Sequence, residues 1–165
     1  MQESGAFRAA EMVEIAVQLE ENGQIFYQEA ANRAQDDEAK RLLEFLAQEE
    51  RRHEAAFRQM LPEEKEHRPA QEYPGEKSAY IQALLEERLL PSQEVVARVA
   101  ALGSDAAVLD FALAFEKDTV LFYYEMRHML GQAQRPIMDD ILAQEKLHVE
   151  RLQRLCKRCK LQEKK

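Results

Sequence analysis

The sequence predicts an all-α protein: a four-helix bundle with one long crossover between its second and third long helices. Two observations carry that prediction. The first is composition: 165 residues, 45% hydrophobic and 33% charged, with five Gly and no Trp, which describes a helix-rich globule. The second is an internal repeat. Ala16, Glu20, Phe26, Tyr27 and Glu29 recur as Ala112, Glu116, Phe122, Tyr123 and Glu125 at a constant spacing, and Glu50 and His53 recur as Glu145 and His148 one residue short of it. Two helical hairpins facing one interior account for such a duplication.

The elements follow in order. The first long helix is expected to start after Ser4, to span about 5–34 and to close at Asp36-Asp37. The second spans about 38–60 and stops at Pro62; so short a link makes the two antiparallel neighbours. The crossover, 61–103, is interrupted by Pro62, Pro69, Pro74 and Pro91, with two short amphipathic helices near 78–89 and 92–102. Ser104, behind Gly103, caps a third long helix that extends to about 130, where Gly131 ends it. The fourth spans about 135–159, with Pro136 in a first turn that tolerates it. Residues 1–165 read as a single domain, large enough for one substantial core. Two hairpins joined by one crossover is ferritin-like connectivity.

Glu-x-x-His alone discriminates little, because Glu fills 24 of 165 positions and all four histidines have a Glu three residues before them. Helical geometry separates the candidates. Glu125 lies nine residues after Glu116, about 900° of rotation and therefore on the opposite face. His67 sits in a polar, proline-bounded segment. His53 shares a face with Leu43, Leu46, Glu50, Phe57 and Met60, and His148 with Met138, Ile141, Glu145, Leu152 and Leu155. Glu20 and Glu116 also fall on apolar faces, and the repeat selects Glu20 over Glu21, which aligns with Lys117. Carboxylates on apolar faces carry a desolvation cost that calls for a partner charge, and a metal ion is the strongest available.

The expected metal ligands are therefore Glu20, Glu50, His53, Glu116, Glu145 and His148. A Glu and a His one turn apart project together and bind one ion, with the Glu free to bridge to a second. Four carboxylates offset two divalent ions. Hard oxygen donors with only two imidazoles favour two Fe ions, or Mn, over Cu or structural Zn. Such a centre suits a two-electron step with O2 or peroxide. The candidate catalytic residues beyond the ligands are Tyr27 and Tyr123, two turns after the lone glutamates. They either hydrogen-bond ligand carboxylates across the bundle or are core tyrosines satisfied elsewhere. Gly23 and Thr119, one turn after Glu20 and Glu116, either leave room for O2 or peroxide or, at Gly23, relieve close helix packing.

The string Glu20-Glu21-Asn22-Gly23-Gln24-Ile25-Phe26-Tyr27, the stretch Phe115-Glu116-Lys117-Asp118-Thr119 and the two Glu-x-x-His motifs resemble the ferritin-like domain of the rubrerythrin family. The resemblance covers all four long helices. It implies a non-haem di-iron protein that reduces hydrogen peroxide, drawing on an external electron donor, or oxidises ferrous iron for sequestration or transfer. A bundle that keeps its metal only for stability is the third reading. Rubrerythrins usually place a second Glu three residues after the third-helix ligand, where this chain has Thr119. They also carry a rubredoxin domain with two Cys-x-x-Cys pairs, whereas this sequence has one, Cys156 and Cys159. That pair completes the apolar face of the fourth helix, or is redox-active beside Lys157, Arg158 and Lys160, or joins a second subunit around Zn or Fe.

The net charge of −8, with no basic patch interleaved with aromatics, argues against nucleic acid as a partner. No stretch has the length of a signal peptide's apolar core or of a membrane span. With two Cys, both near the C-terminus, a cytoplasmic protein is expected, and a homodimer is the expected assembly.

Overall fold

The apolar stripes become the inner faces of six helices in the computed structural model, which describes residues 8–66, 75–86, 88–89 and 92–163. They run α1 (Ala9–Arg33), α2 (Asp37–Glu66), α3 (Gly75–Leu85), α4 (Ser92–Leu102), α5 (Asp105–Met129) and α6 (Arg135–Glu163). The four long helices form two antiparallel hairpins, α1 with α2 and α5 with α6. The hairpins meet α1 to α5 and α2 to α6, and α3 and α4 lie in the crossover.

Local chemistry sets the ends. The Glu11 carboxylate accepts the Arg8 N–H at 2.7 Å, covering a donor that the first turn of α1 leaves unpaired. Gly103, at φ +77°, takes the left-handed conformation that ends α4, and the Ser104 hydroxyl accepts the Ala107 N–H at 3.2 Å to start α5. Asp36 caps α2 by accepting the Ala39 N–H at 2.8 Å. The other hairpin holds this turn from outside: Asp105 accepts the N–H groups of Gln35 and Asp36 at 3.0 and 2.7 Å, and Arg158 of α6 donates to Asp36 at 2.7 Å.

Four expected boundaries shift. The second helix does not stop at Pro62 but continues to Glu66. Proline deletes one backbone donor, and the turn before it is anchored by buried Phe57 and Met60. The first crossover helix starts at Gly75 rather than 78 and ends at Leu85 rather than 89, with the Leu89 N–H donating to the Leu85 carbonyl. The fourth long helix runs past 159 to Glu163, with Lys160 paired to Asp110 of α5 at 2.7 Å. The first long helix starts at Ala9, behind an extended Arg8, rather than at 5; the breaks at Pro69, Pro74 and Pro91 lie outside the described residues.

The interior divides into two apolar cores. One gathers Met12, Val13, Phe57, Met60, Phe122, Met126, Met138 and Ile141, together with Ile81 and Leu85 of α3. The other gathers Phe26, Ala30, Leu43, Leu46, Leu109, Leu152 and Leu155, with Val95 and Val99 of α4. Between them, halfway along all four long helices, lies a layer of carboxylates and imidazoles.

Candidate metal centre

Each long helix contributes to this layer at the point where its stripe turns polar for a single turn. Glu20 comes from α1, Glu50 and His53 from α2, Glu116 from α5, and Glu145 and His148 from α6. All six are at most 2% exposed. The structure thus brings together every expected ligand. It leaves the decoys out: His128 is exposed and Glu125 half-buried on the outer side of α5, and His67 lies outside the described residues.

The donors form two overlapping sets, Glu20, Glu50, His53 and Glu145 in one and Glu50, Glu116, Glu145 and His148 in the other, the ligating atoms within each lying within 4.8 Å of one another. Glu50 and Glu145 belong to both, so they stand where two ions would share ligands, with Glu20 and Glu116 terminal. His53 Nδ1 is 2.8, 3.7 and 3.8 Å from oxygens of Glu145, Glu20 and Glu50. His148 Nδ1 is 3.2, 3.5 and 3.9 Å from oxygens of Glu145, Glu50 and Glu116. The two rings face each other at 5.7 Å.

The site fits a cation because its polar atoms are otherwise orphaned. Glu20 Oε2, Glu50 Oε1, Glu116 Oε2, Glu145 Oε1 and His53 Nδ1 are buried with no hydrogen-bond partner; the short approach of His53 Nδ1 to Glu145 is not aligned as one. Buried polar atoms are almost always satisfied in proteins, so five orphans gathered in one cluster define a place for positive charge. The carboxyls respond accordingly. Burial, then the charges of Glu20 and Glu145, pushes Glu50 well above the usual carboxylate range. Burial, then Glu145 and Glu50, does the same to Glu116. Burial works against charge on Glu145 and on His53, but both stay charged: the two imidazoles hold Glu145 far below its ordinary value, and Glu145, Glu20 and Glu50 hold His53 far above its own.

Tyr27 and Tyr123 resolve in favour of the carboxylates. Each phenol is fully buried and donates across the bundle to the other half of the repeat, Tyr27 to Glu116 Oε1 and Tyr123 to Glu20 Oε1. Burial, then the adjacent carboxylate charge, raises both well above a normal phenol, so both keep their protons. Gly23 does not open a chamber: a Cβ there would lie 3.2 Å from Glu50 Cγ, so the missing side chain makes room for a ligand's own stem. Thr119 is buried and its hydroxyl donates to the Phe115 carbonyl at 3.0 Å, supplying no carboxylate.

Sequence reasoning missed Gln144, whose Oε1 lies 2.8 Å from His53 Nε2. The one available signal was its place beside Glu145, where it repeats Glu49. The cysteines lie in the second apolar core, Cys156 donating to Asp110 at 2.9 Å; burial and that carboxylate push its thiol up to about 11, the opposite of a reactive thiolate.

A family model described as Rubrerythrin matches residues 11–156. Among solved structures, the chain is similar to one from Thermotoga maritima described as a ferritin-like diiron-carboxylate protein, with 23% identity over 93% of this chain and 97% of that one and a TM-score of 0.67. At that identity the likeness establishes the fold: an all-α, ferritin-like bundle. No curated protein matches the chain.

Proposed function

We propose, for a chain that belongs to the rubrerythrin family, that its buried Glu/His layer holds two iron ions, or manganese, and consumes peroxide or O2. The supporting observation is the pair of overlapping donor sets that share Glu50 and Glu145. When bound, the two ions supply one electron each, so that a two-electron acceptor is reduced in one encounter. Glu20 with His53 would hold one ion and Glu116 with His148 the other, with Glu50 and Glu145 available to both. Tyr27 Oη and Tyr123 Oη keep protons against the terminal carboxylates and fix their orientation. The two apolar cores above and below keep bulk water away.

Peroxide reduction is the leading reading, with reducing equivalents from an external donor. Ferrous oxidation for storage or transfer is the second. It is kept because Thr119 supplies no carboxylate where the family pattern has a second Glu, leaving a symmetric six-residue set. We further propose a homodimer working in the cytoplasm.

The test is anaerobic loading with ferrous iron, then stopped-flow mixing with peroxide beside a reductant. Repeated peroxide loss with iron retained supports the peroxidase. A single oxidation per loading, followed by transfer or accumulation of ferric iron, selects the second reading. Loaded protein that reacts with neither peroxide nor O2 leaves the metal a purely structural part.

A further inference from the structure

We propose that the two ion positions are inequivalent: Gln144 positions His53 and makes its side of the centre the first to load, whereas His148 lacks a counterpart. This rests on the dimetal reading above.

The repeat makes the comparison internal to the chain. Gln144 precedes Glu145 on α6 and reaches across to His53 on α2; Glu49 precedes Glu50 on α2, the matching position in the repeat. The two contacts differ. Gln144 Oε1 is 2.8 Å from His53 Nε2 and accepts its N–H. That bond fixes the ring's rotation, keeps the proton on Nε2 and turns Nδ1 toward Glu20, Glu50 and Glu145. Glu49 is largely buried, at 8% exposure, and its Oε1 accepts from Arg52, one turn along its own helix. His148 rests against the edge of the Phe45 ring, centroids 6.2 Å apart at 89°, and its hydrogen bond is made by Nδ1, with Glu145 Oε2 at 3.2 Å.

His148 Nδ1 instead donates to Glu145 Oε2, so that bond must open and the proton move to Nε2, where the repeat offers Glu49 rather than a glutamine, before Nδ1 can ligate. His53 is therefore preorganised as a ligand, and His148 must be ordered when its ion arrives. Loss of such an outer partner typically weakens metal binding about 10–100-fold, which is the separation expected between the two steps.

The test is an anaerobic cobalt(II) titration of the metal-free full chain, followed by visible absorption and calorimetry. Wild type should take up two ions in steps about tenfold or more apart. Gln144→Leu should weaken the first step about 10–100-fold, bringing it toward the second, with a much smaller change in the second. Gln144→Glu keeps an acceptor and should keep the two steps resolved. Proton NMR adds a signature that a merely structural role would not move. At one equivalent of cobalt, a single shifted, exchange-protected imidazole N–H should persist in wild type and Gln144→Glu and vanish in Gln144→Leu.

Two ions binding in indistinguishable steps, or Gln144→Leu weakening both equally, would overturn the inequivalence and leave the dimetal reading standing. Uptake of no cobalt, or of one ion, would sink the dimetal reading itself. If Gln144→Leu fails to fold, the wild-type step pattern and the N–H signal in wild type and Gln144→Glu decide.

Discussion

Gly23→Ala separates the stability of the fold from the stability of its metal centre. In a helix interior, Gly to Ala ordinarily stabilises by about 0.5–1 kcal/mol. Here the new methyl carbon would sit 3.2, 3.6 and 3.7 Å from Cγ, Cδ and Oε2 of Glu50. Carbon pairs prefer about 3.5–4.0 Å, so the Glu50 stem must give by a few tenths of an ångström. Glu50 is 1% exposed and belongs to both donor sets, so displacing it disturbs both ions. In chelator, propensity and crowding oppose each other, and stability should stay within about 1 kcal/mol of wild type. With metal the balance changes. A tenfold loss of affinity at each position removes about 1.4 kcal/mol per ion at fixed excess, about 3 kcal/mol in all. Urea denaturation of both proteins, in chelator and in excess cobalt(II), measures the two increments. Equal metal increments in wild type and Gly23→Ala would refute the reasoning, because Glu50 would then not be a shared ligand held in place by the missing side chain.

Tyr27→Phe and Tyr123→Phe should each cost about 1–3 kcal/mol by removing the phenol donor to a buried carboxylate oxygen, and the repeat makes the two costs similar; urea midpoints check both. The metal-free protein should lose stability as pH rises. Glu50 and Glu116 have folded pKa values above the ordinary 4.5, so the folded state holds protons that the unfolded chain has released. That stabilisation, about 1.4 kcal/mol for every pH unit separating folded from unfolded value, is lost as pH climbs through the folded one. His53 acts in the same direction above 6.5, and the opposite contribution of Glu145 is complete by about 4.5. A urea midpoint that rises between about pH 5.5 and 8.5 in chelator, or a Glu50→Gln variant with the full slope, would contradict this. Iodoacetamide at pH 8 should label native Cys156 at least about a hundredfold more slowly than the unfolded chain, since a thiol at about 11 is roughly 0.1% ionised there and buried besides; mass spectrometry of quenched samples reads it.

The Glu/His cluster was legible because two constraints coincide. The duplication relates Glu20 to Glu116 and Glu50-His53 to Glu145-His148, and rotation about each helix axis decides which of the many glutamates face inward. Neither constraint reaches across the bundle. Tyr27 and Tyr123 had two readings because whether a phenol meets a carboxylate depends on how the hairpins dock. Gln144 was invisible for the same reason: its contact with His53 joins α6 to α2, and the duplicated position holds Glu49, a different residue doing a different thing. Asp105, which holds the turn at Gln35 and Asp36, is likewise a contact between hairpins that no periodicity encodes. Proline was over-read, because Pro62 deletes one bond but does not outweigh the burial of Phe57 and Met60 beside it. Gly23 was read either as room for a small molecule or as relief for close helix packing, and the space belongs to the Glu50 stem of the neighbouring helix.

The most direct test of the dimetal centre is a count of metal ions per chain. Anaerobic ferrous titration of metal-free protein should saturate at about two ions per chain, the number that four carboxylates offset by charge. Glu50→Ala and Glu145→Ala, which remove ligands common to both positions, should lower the count further than Glu20→Ala or Glu116→Ala. Substitution of the outward-facing Glu125 or His128 should leave it unchanged. Wild-type protein that stays metal-free in excess ferrous iron, or a count that responds to Glu125 and His128 rather than to Glu50 and Glu145, would contradict the account.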